Sequence, residues 1–190
     1  MTALMLNLRT SRAFLGRRVA AFYVAVLVAS LPVWPFAWHL GLHVIGATAL
    51  IGNALVMAVW LTMAGFSRGD AATRRAVRAV NLGDVWFTVP GVVLLFLNGL
   101  AMVGIRYGGL SAFATIDWIT AGVILLGSTG LIWAARLVPA QLALYRLTEI
   151  AGPIDGRAFR AVLIRWSFWG VIATILPLVA VVVMTTKPTF

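Results

Sequence analysis

Residues 36–65 read FAWHLGLHVIGATALIGNALVMAVWLTMAG. No Asp, Glu, Lys or Arg interrupts them. A helix needs about 20 apolar residues to cross the hydrocarbon of a bilayer. This stretch is longer, so it must tilt or project from the membrane. The segment after it, Phe66–Val80, carries Arg68, Arg74, Arg75 and Arg78 and reads as a basic loop. Long apolar runs alternate with short arginine-rich ones along the whole chain. That alternation sets the fold class as all-α, an integral membrane helical bundle.

The apolar runs Val19–Trp34, Phe36–Gly65, Gly83–Ile105, Asp117–Leu137 and Trp166–Thr186 predict about five transmembrane helices. Residues 1–35 form a basic N-terminal arm and a first span, and residues 36–190 a four-span membrane domain. The first span is short, and Pro32 and Pro35 break its far end. It has signal-peptide character, with Val28-Ala29-Ser30 as a cleavage site; it is expected to be retained. Pro90-Gly91 predicts a kink in the third run. Val138–Arg165 mixes apolar residues with arginines and is divided by Gly152-Pro153. It predicts an amphipathic helix, a turn, and the helical start of the last span. There is no internal repeat, low-complexity tract or soluble domain.

The chain is 62% hydrophobic and 11% charged, where a soluble domain would be about a quarter charged. Its net charge of +10 reflects topology and not nucleic-acid binding, because the arginines flank spans. Thirteen of its 15 basic residues fall in three groups: 9–18, 68–78 and 136–165. Two spans separate each group from the next, and only Arg106 and Lys187 are left for the opposite side. The positive-inside rule then predicts a cytoplasmic N-terminus and an external C-terminus. The arginines also favour anionic lipid headgroups. Trp34, Trp38, Trp118, Trp166 and Trp169 are expected at the interfaces as an aromatic belt. With no cysteine, thiol catalysis, disulfides and iron–sulfur clusters are excluded.

Polar side chains inside a span need a reason. In 36–65, steps of four and three residues link His39, His43, Gly46, Leu50, Asn53, Met57 and Trp60 on one helical face. That face should meet other helices. His39 and His43, four apart, suit one copper or zinc ion. Alternatively, one of them suits an axial position on haem, with Met102 or Met184 supplying the second ligand at similar depth. His43 is the stronger candidate because it lies one turn deeper, and Gly46 beside it leaves room for a flat ring. Against these stands a structural reading. There His39 is interfacial, His43 bonds a backbone carbonyl or Asp117, and the methionines are packing residues. Asp84, beside Asn81, is expected to cap a helix and pair with an arginine. Asp117 is expected to cap the fourth span. Together with Arg106, Lys187 and the histidines, Asp117 forms an outer polar layer suited to an anion or a proton relay. No phosphate-binding loop, dinucleotide fingerprint or zinc-protease motif occurs.

Leu42-His43-Val44-Ile45-Gly46 and Ile51-Gly52-Asn53 form one recognisable group of residues. Others are Asp84 through Pro90-Gly91, Asn98-Gly99-Leu100, Trp118, and Met184-Thr185-Thr186-Lys187-Pro188. Together they resemble a bacterial family of predicted integral membrane proteins, domain of unknown function 2269. The resemblance spans roughly residues 36–190. It implies a bacterial inner membrane location, with the C-terminus periplasmic. That family is similar in turn to copper-resistance D-type proteins and to membrane haem-binding protoporphyrinogen oxidases. Those groups share a histidine near the start of a span, matched here by His43, so the resemblance implies b-type haem or copper. The oxidases carry an arginine and a histidine near the end of the same span. Leu55-Val56-Met57-Ala58-Val59-Trp60-Leu61 has neither, which argues against that oxidation here.

The expected function is a small membrane subunit, non-catalytic or electron-transferring, with haem or a metal near the outer leaflet. It would work beside a larger membrane partner or as a homo-oligomer. A chain without any cofactor is the competing expectation. The alternatives are a redox enzyme acting on a lipid-soluble quinol or porphyrin, and a copper-import channel.

Overall fold

The computed structural model describes residues 2–66, 70–109, 111–150 and 152–189, with side chains from Gly16 onward. The side chains of Arg9 and Arg12, and all of Arg68, lie outside the described residues. The described residues form helices and short connections, with no strand among them. In order they are α1 (Thr2–Ala29), α2 (Phe36–Phe66), α3 (Asp70–Gly83), α4 (Val89–Tyr107), α5 (Ala112–Thr115), α6 (Asp117–Ile132), α7 (Val138–Glu149) and α8 (Gly156–Thr186). Single π-helical turns, Asp84–Thr88 and Trp133–Leu137, join α3 to α4 and α6 to α7. Four continuous helices, Phe36–Phe66, Asp70–Tyr107, Asp117–Glu149 and Gly156–Thr186, are long and apolar enough to cross a membrane. α1 is not one of these four.

Both π turns stand directly before a Val-Pro pair, Val89-Pro90 and Val138-Pro139. Proline has no N–H, and its ring crowds the carbonyl one turn back. Widening the turn relieves that crowding: the N–H of Val89 reaches the carbonyl of Asp84, and that of Val138 reaches Trp133. Val85 would have Val89 as its donor in a regular helix. Its carbonyl instead accepts the Tyr23 hydroxyl of α1 at 2.7 Å, so α1 supplies a bond that the π turn leaves open.

Most of the expected basic loop Phe66–Val80 is helix instead. Asp70–Gly83 is helical, and Thr73, Ala76, Val77, Val80 and Gly83 are buried. Their spacing is that of one helical face; the arginines occupy the other. α3 packs on α7, and α7 on α8. This end is tied together by polar contacts. Arg74 donates to the carbonyls of Ile150 and Gly152 at 3.2 and 2.7 Å, and Arg78 meets Glu149 at 2.8 Å. Asp70 accepts the Ile154 N–H at 3.0 Å.

Toward the other end the bundle separates into two pairs, α2 with α4 and α6 with α8, joined by α2 against α8. Gly46 and Gly91 make the first pair possible. A Cβ on Gly46 would lie 2.5 Å from the Leu95 nitrogen and 2.7 Å from the Gly91 oxygen. α6 and α8 meet where Met184 lies over Gly122. α4 and α6 are not closely packed against each other, so the bundle keeps a space between its pairs.

Candidate ligand cavity

That space is a cavity of about 710 Å³. Its walls come from α2, α4, α6 and α8, with Leu50, Val92, Leu126, Gly130, Ile175 and Leu178 among the lining residues. Polar groups gather where the two π turns face α7. Asp84 Oδ1 accepts the Thr88 hydroxyl at 2.7 Å, and Oδ2 accepts the Gln141 amide at 2.9 Å. Asn53 on α2 donates to Thr88 Oγ1 at 2.8 Å. Asn53, Thr88 and Gln141 are buried; Asp84 is half-buried and lines the cavity. Two indoles, Trp133 and Trp166, line it as well. Trp133 lies beside the carboxylate, but neither indole N–H has an acceptor at hydrogen-bonding geometry.

Among the described residues, no arginine pairs with Asp84. The π turn directs it inward, and its hydrogen-bond partners are a neutral hydroxyl and a neutral amide. Arg74 and Arg78 are engaged with 149–152, and Arg136 lies over the Trp169 ring at 5.2 Å. Asn81 donates to the Val77 carbonyl of its own helix at 3.1 Å. Trp166 does not face outward as a belt residue would: it is 6% exposed, on the face of α8 that also carries Phe159, Ala173 and Pro177. Asp117 is in the first turn of α6, where its charge suits the helix dipole, and Ile116 holds the cap position.

The two histidines sit apart from the cavity, in the seam of α2 with α4. His39 is fully buried, and His43 is half-buried although it is one turn deeper. This reverses the order expected from depth. His39 Nδ1 is 2.7 Å from Asn98 Oδ1, and the Asn98 amide donates to Ser30 Oγ at 3.0 Å and to the Leu94 carbonyl at 2.8 Å. His43 Nδ1 is 2.7 Å from the Leu95 carbonyl, not bonded to Asp117. A carbonyl only accepts, so the proton is on Nδ1. The Asn98 network assigns the same tautomer to His39. In the neutral form of these rings Nε2 holds the lone pair, the arrangement found behind metal-ligating histidines. The Nε2 atom of His39 is buried without a partner.

The donor chemistry therefore fits haem or copper, while the seam between α2 and α4 is too tight for a haem ring. The space beside Gly46 is filled by the α4 backbone, and the His43 ring packs at 3.1 Å from the Cβ position of Gly99. No flat ring fits in that seam. Met184 is committed to Gly122 on α6. Met102 lies one turn beyond Asn98, the partner of His39, on α4. Among the described residues, no three His, Cys, Asp or Glu side chains are grouped to hold a metal ion.

Four participants went unnoticed in the sequence as parts of one site: Thr88, Trp133, Gln141 and Trp166. Thr88 and Gln141 had a visible signal. Each is an uncharged polar residue within two positions of a Val-Pro pair, and such pairs occur twice in helical context.

No curated protein and no solved structure matches the chain. Residues 40–188, most of its length, match the family described as predicted integral membrane protein (DUF2269). With four apolar helices of spanning length and that match, this chain is an integral membrane protein and belongs to the DUF2269 family.

Proposed function

We propose that this protein binds a lipid-soluble small molecule inside its helical bundle, with the polar end of that molecule at Asp84. The cavity carries the reading: about 710 Å³, apolar walls and one half-buried carboxylate. Small-molecule sites span roughly 300–1,000 Å³, with mostly apolar linings and a few polar groups that set orientation. Carboxylates within membrane helices are costly and tend to mark function. A quinol belongs to the class of molecule that such walls admit. The test uses nanodiscs containing 10-bromodecanol, which quenches tryptophan on contact. Saturable quenching is expected, and it should be lost when Trp133 and Trp166 are both replaced by phenylalanine. Quenching that only rises linearly with bromide content contradicts the reading.

The same reading puts the α3–α7 end in the cytoplasm of a bacterial inner membrane, with α1 as a fifth span. Arg74, Arg75, Arg78, Arg146, Arg157 and Arg160 lie at that end, Arg106 and Lys187 at the other, in keeping with the positive-inside rule. α1 follows α4 in parallel, since Tyr23 meets Val85 and Ser30 meets Asn98. A reporter fused at Gly156 should read cytoplasmic, and one fused after the last residue should read periplasmic. The reverse pattern overturns the orientation. A fusion at Gly69, which lies outside the described residues, should also read cytoplasmic.

A second reading is favoured by the histidine tautomers. Haem or copper held by His43 would lie outside the α2–α4 seam, against a partner or a second copy. His43→Ala should then remove any Soret band or bound copper from the purified protein. Full occupancy in that variant eliminates the site.

A further inference from the structure

The chemistry of the carboxylate narrows the ligand class. This step rests on the cavity reading above. Asp84 receives hydrogen bonds from Thr88 and Gln141, the Trp133 indole lies beside it, and all three groups are neutral. Each carboxylate oxygen can accept a further bond. The lining residues include no lysine, arginine or histidine. A carboxylate surrounded by apolar side chains needs a proton or a cation for neutrality. Two indole rings, Trp133 and Trp166, share its cavity. Tryptophan faces attract organic cations, more strongly when water is excluded. Among the described residues, no arginine lines the cavity to supply the charge. Arg78 and Arg136 are engaged on the outside by Glu149 and Trp169, and Arg165 is exposed.

We propose that the cavity is a site for a hydrophobic organic cation, with Asp84 as counter-ion and the Trp133 and Trp166 rings as its aromatic walls.

The test compares two ions of the same shape and opposite charge, tetraphenylphosphonium and tetraphenylborate. Each is measured by equilibrium dialysis against the full chain in zwitterionic nanodiscs. The net charge of +10 favours the anion everywhere on the protein surface, so a preference for the cation must come from a local carboxylate. The expected result is saturable binding of one tetraphenylphosphonium per chain, with tetraphenylborate at least tenfold weaker. Asp84→Asn should weaken the cation at least tenfold, and Asp84→Glu should keep most of the affinity. The neutral probe, 10-bromodecanol, should still quench tryptophan in Asp84→Asn. If the neutral probe saturates but the two ions bind alike, or if Asp84→Asn binds the cation as the wild type does, the cation assignment is overturned and the cavity reading stands. If neither the neutral probe nor the cation saturates, both fall. Should Asp84→Asn fail to fold, the wild-type preference between the two ions decides.

Discussion

Replacing Gly46 by leucine should separate α2 from α4 and cost about 3 kcal/mol or more, the upper range for overpacking a tight interior. The reason is that the obstacle is backbone. A single Cβ would already lie 2.5 Å from the Leu95 nitrogen and 2.7 Å from the Gly91 oxygen. No rotamer change in a neighbour can relieve such a contact. Gly91 faces the same crossing, with a Cβ position 3.0 Å from the Gly46 oxygen and 3.1 Å from the Leu50 nitrogen. Gly91→Leu should therefore behave similarly. Gly52, with nothing within 4 Å of its Cβ position, is the control, and its replacement by leucine should be tolerated. Small residues let membrane helices approach closely, and this pair holds His39, His43 and Asn53 in register with α4. Denaturation in mixed micelles reads the effect. Equal stability of the Gly46 and Gly52 variants would remove the close crossing from the account.

The second large effect is expected at Gly130, and on binding instead of folding. Gly130 lines the cavity, and nothing lies within 4 Å of its Cβ position. A phenylalanine there should project into open space and occupy much of it. The helices need not move, so stability should change little. Saturable quenching by 10-bromodecanol should weaken at least tenfold, which corresponds to about 1.4 kcal/mol. Gly127, three residues earlier on α6, also has open space at its Cβ position but is not among the lining residues. Gly127→Phe should leave the quenching curve unchanged. If both variants bind as the wild type does, the ligand does not sit among these four helices.

The inward face of α2 was legible in the sequence because it combines two signals. His39, Gly46, Leu50 and Asn53 repeat at helical spacing, and the polar ones interrupt an otherwise apolar run. All four are buried. α3 was not legible for the opposite reason. Its arginines draw attention to polarity, while the buried set Thr73, Ala76, Val77 and Val80 is small and only weakly apolar. The partners of Asp84 were hidden by distance along the chain, since Gln141 is 57 residues away. Nothing local distinguishes a carboxylate that caps a helix from one turned inward by a π bulge. Trp166 misled for a related reason. It follows Arg165, the expected place for an interfacial anchor, yet its position seven residues from both Phe159 and Ala173 puts it on the inner face. His39 and His43 could be placed on one face from sequence, but their relative burial depends on how α1 and α4 close over them. Asn98 and Ser30 make His39 the more enclosed of the two.

The most direct test of the cavity account is a map of covalent labelling by a lipid-soluble diazirine. The label is read by mass spectrometry at rising concentrations, with and without an excess of unlabelled competitor of the same structure. The account predicts saturable, competed labelling at Ala54, Val92, Leu126 and Thr174, which line the cavity. It predicts linear, uncompeted labelling at Val44, Val59 and Leu131, which are exposed and do not line it. Labelling that is linear and uncompeted at both sets of positions would contradict it.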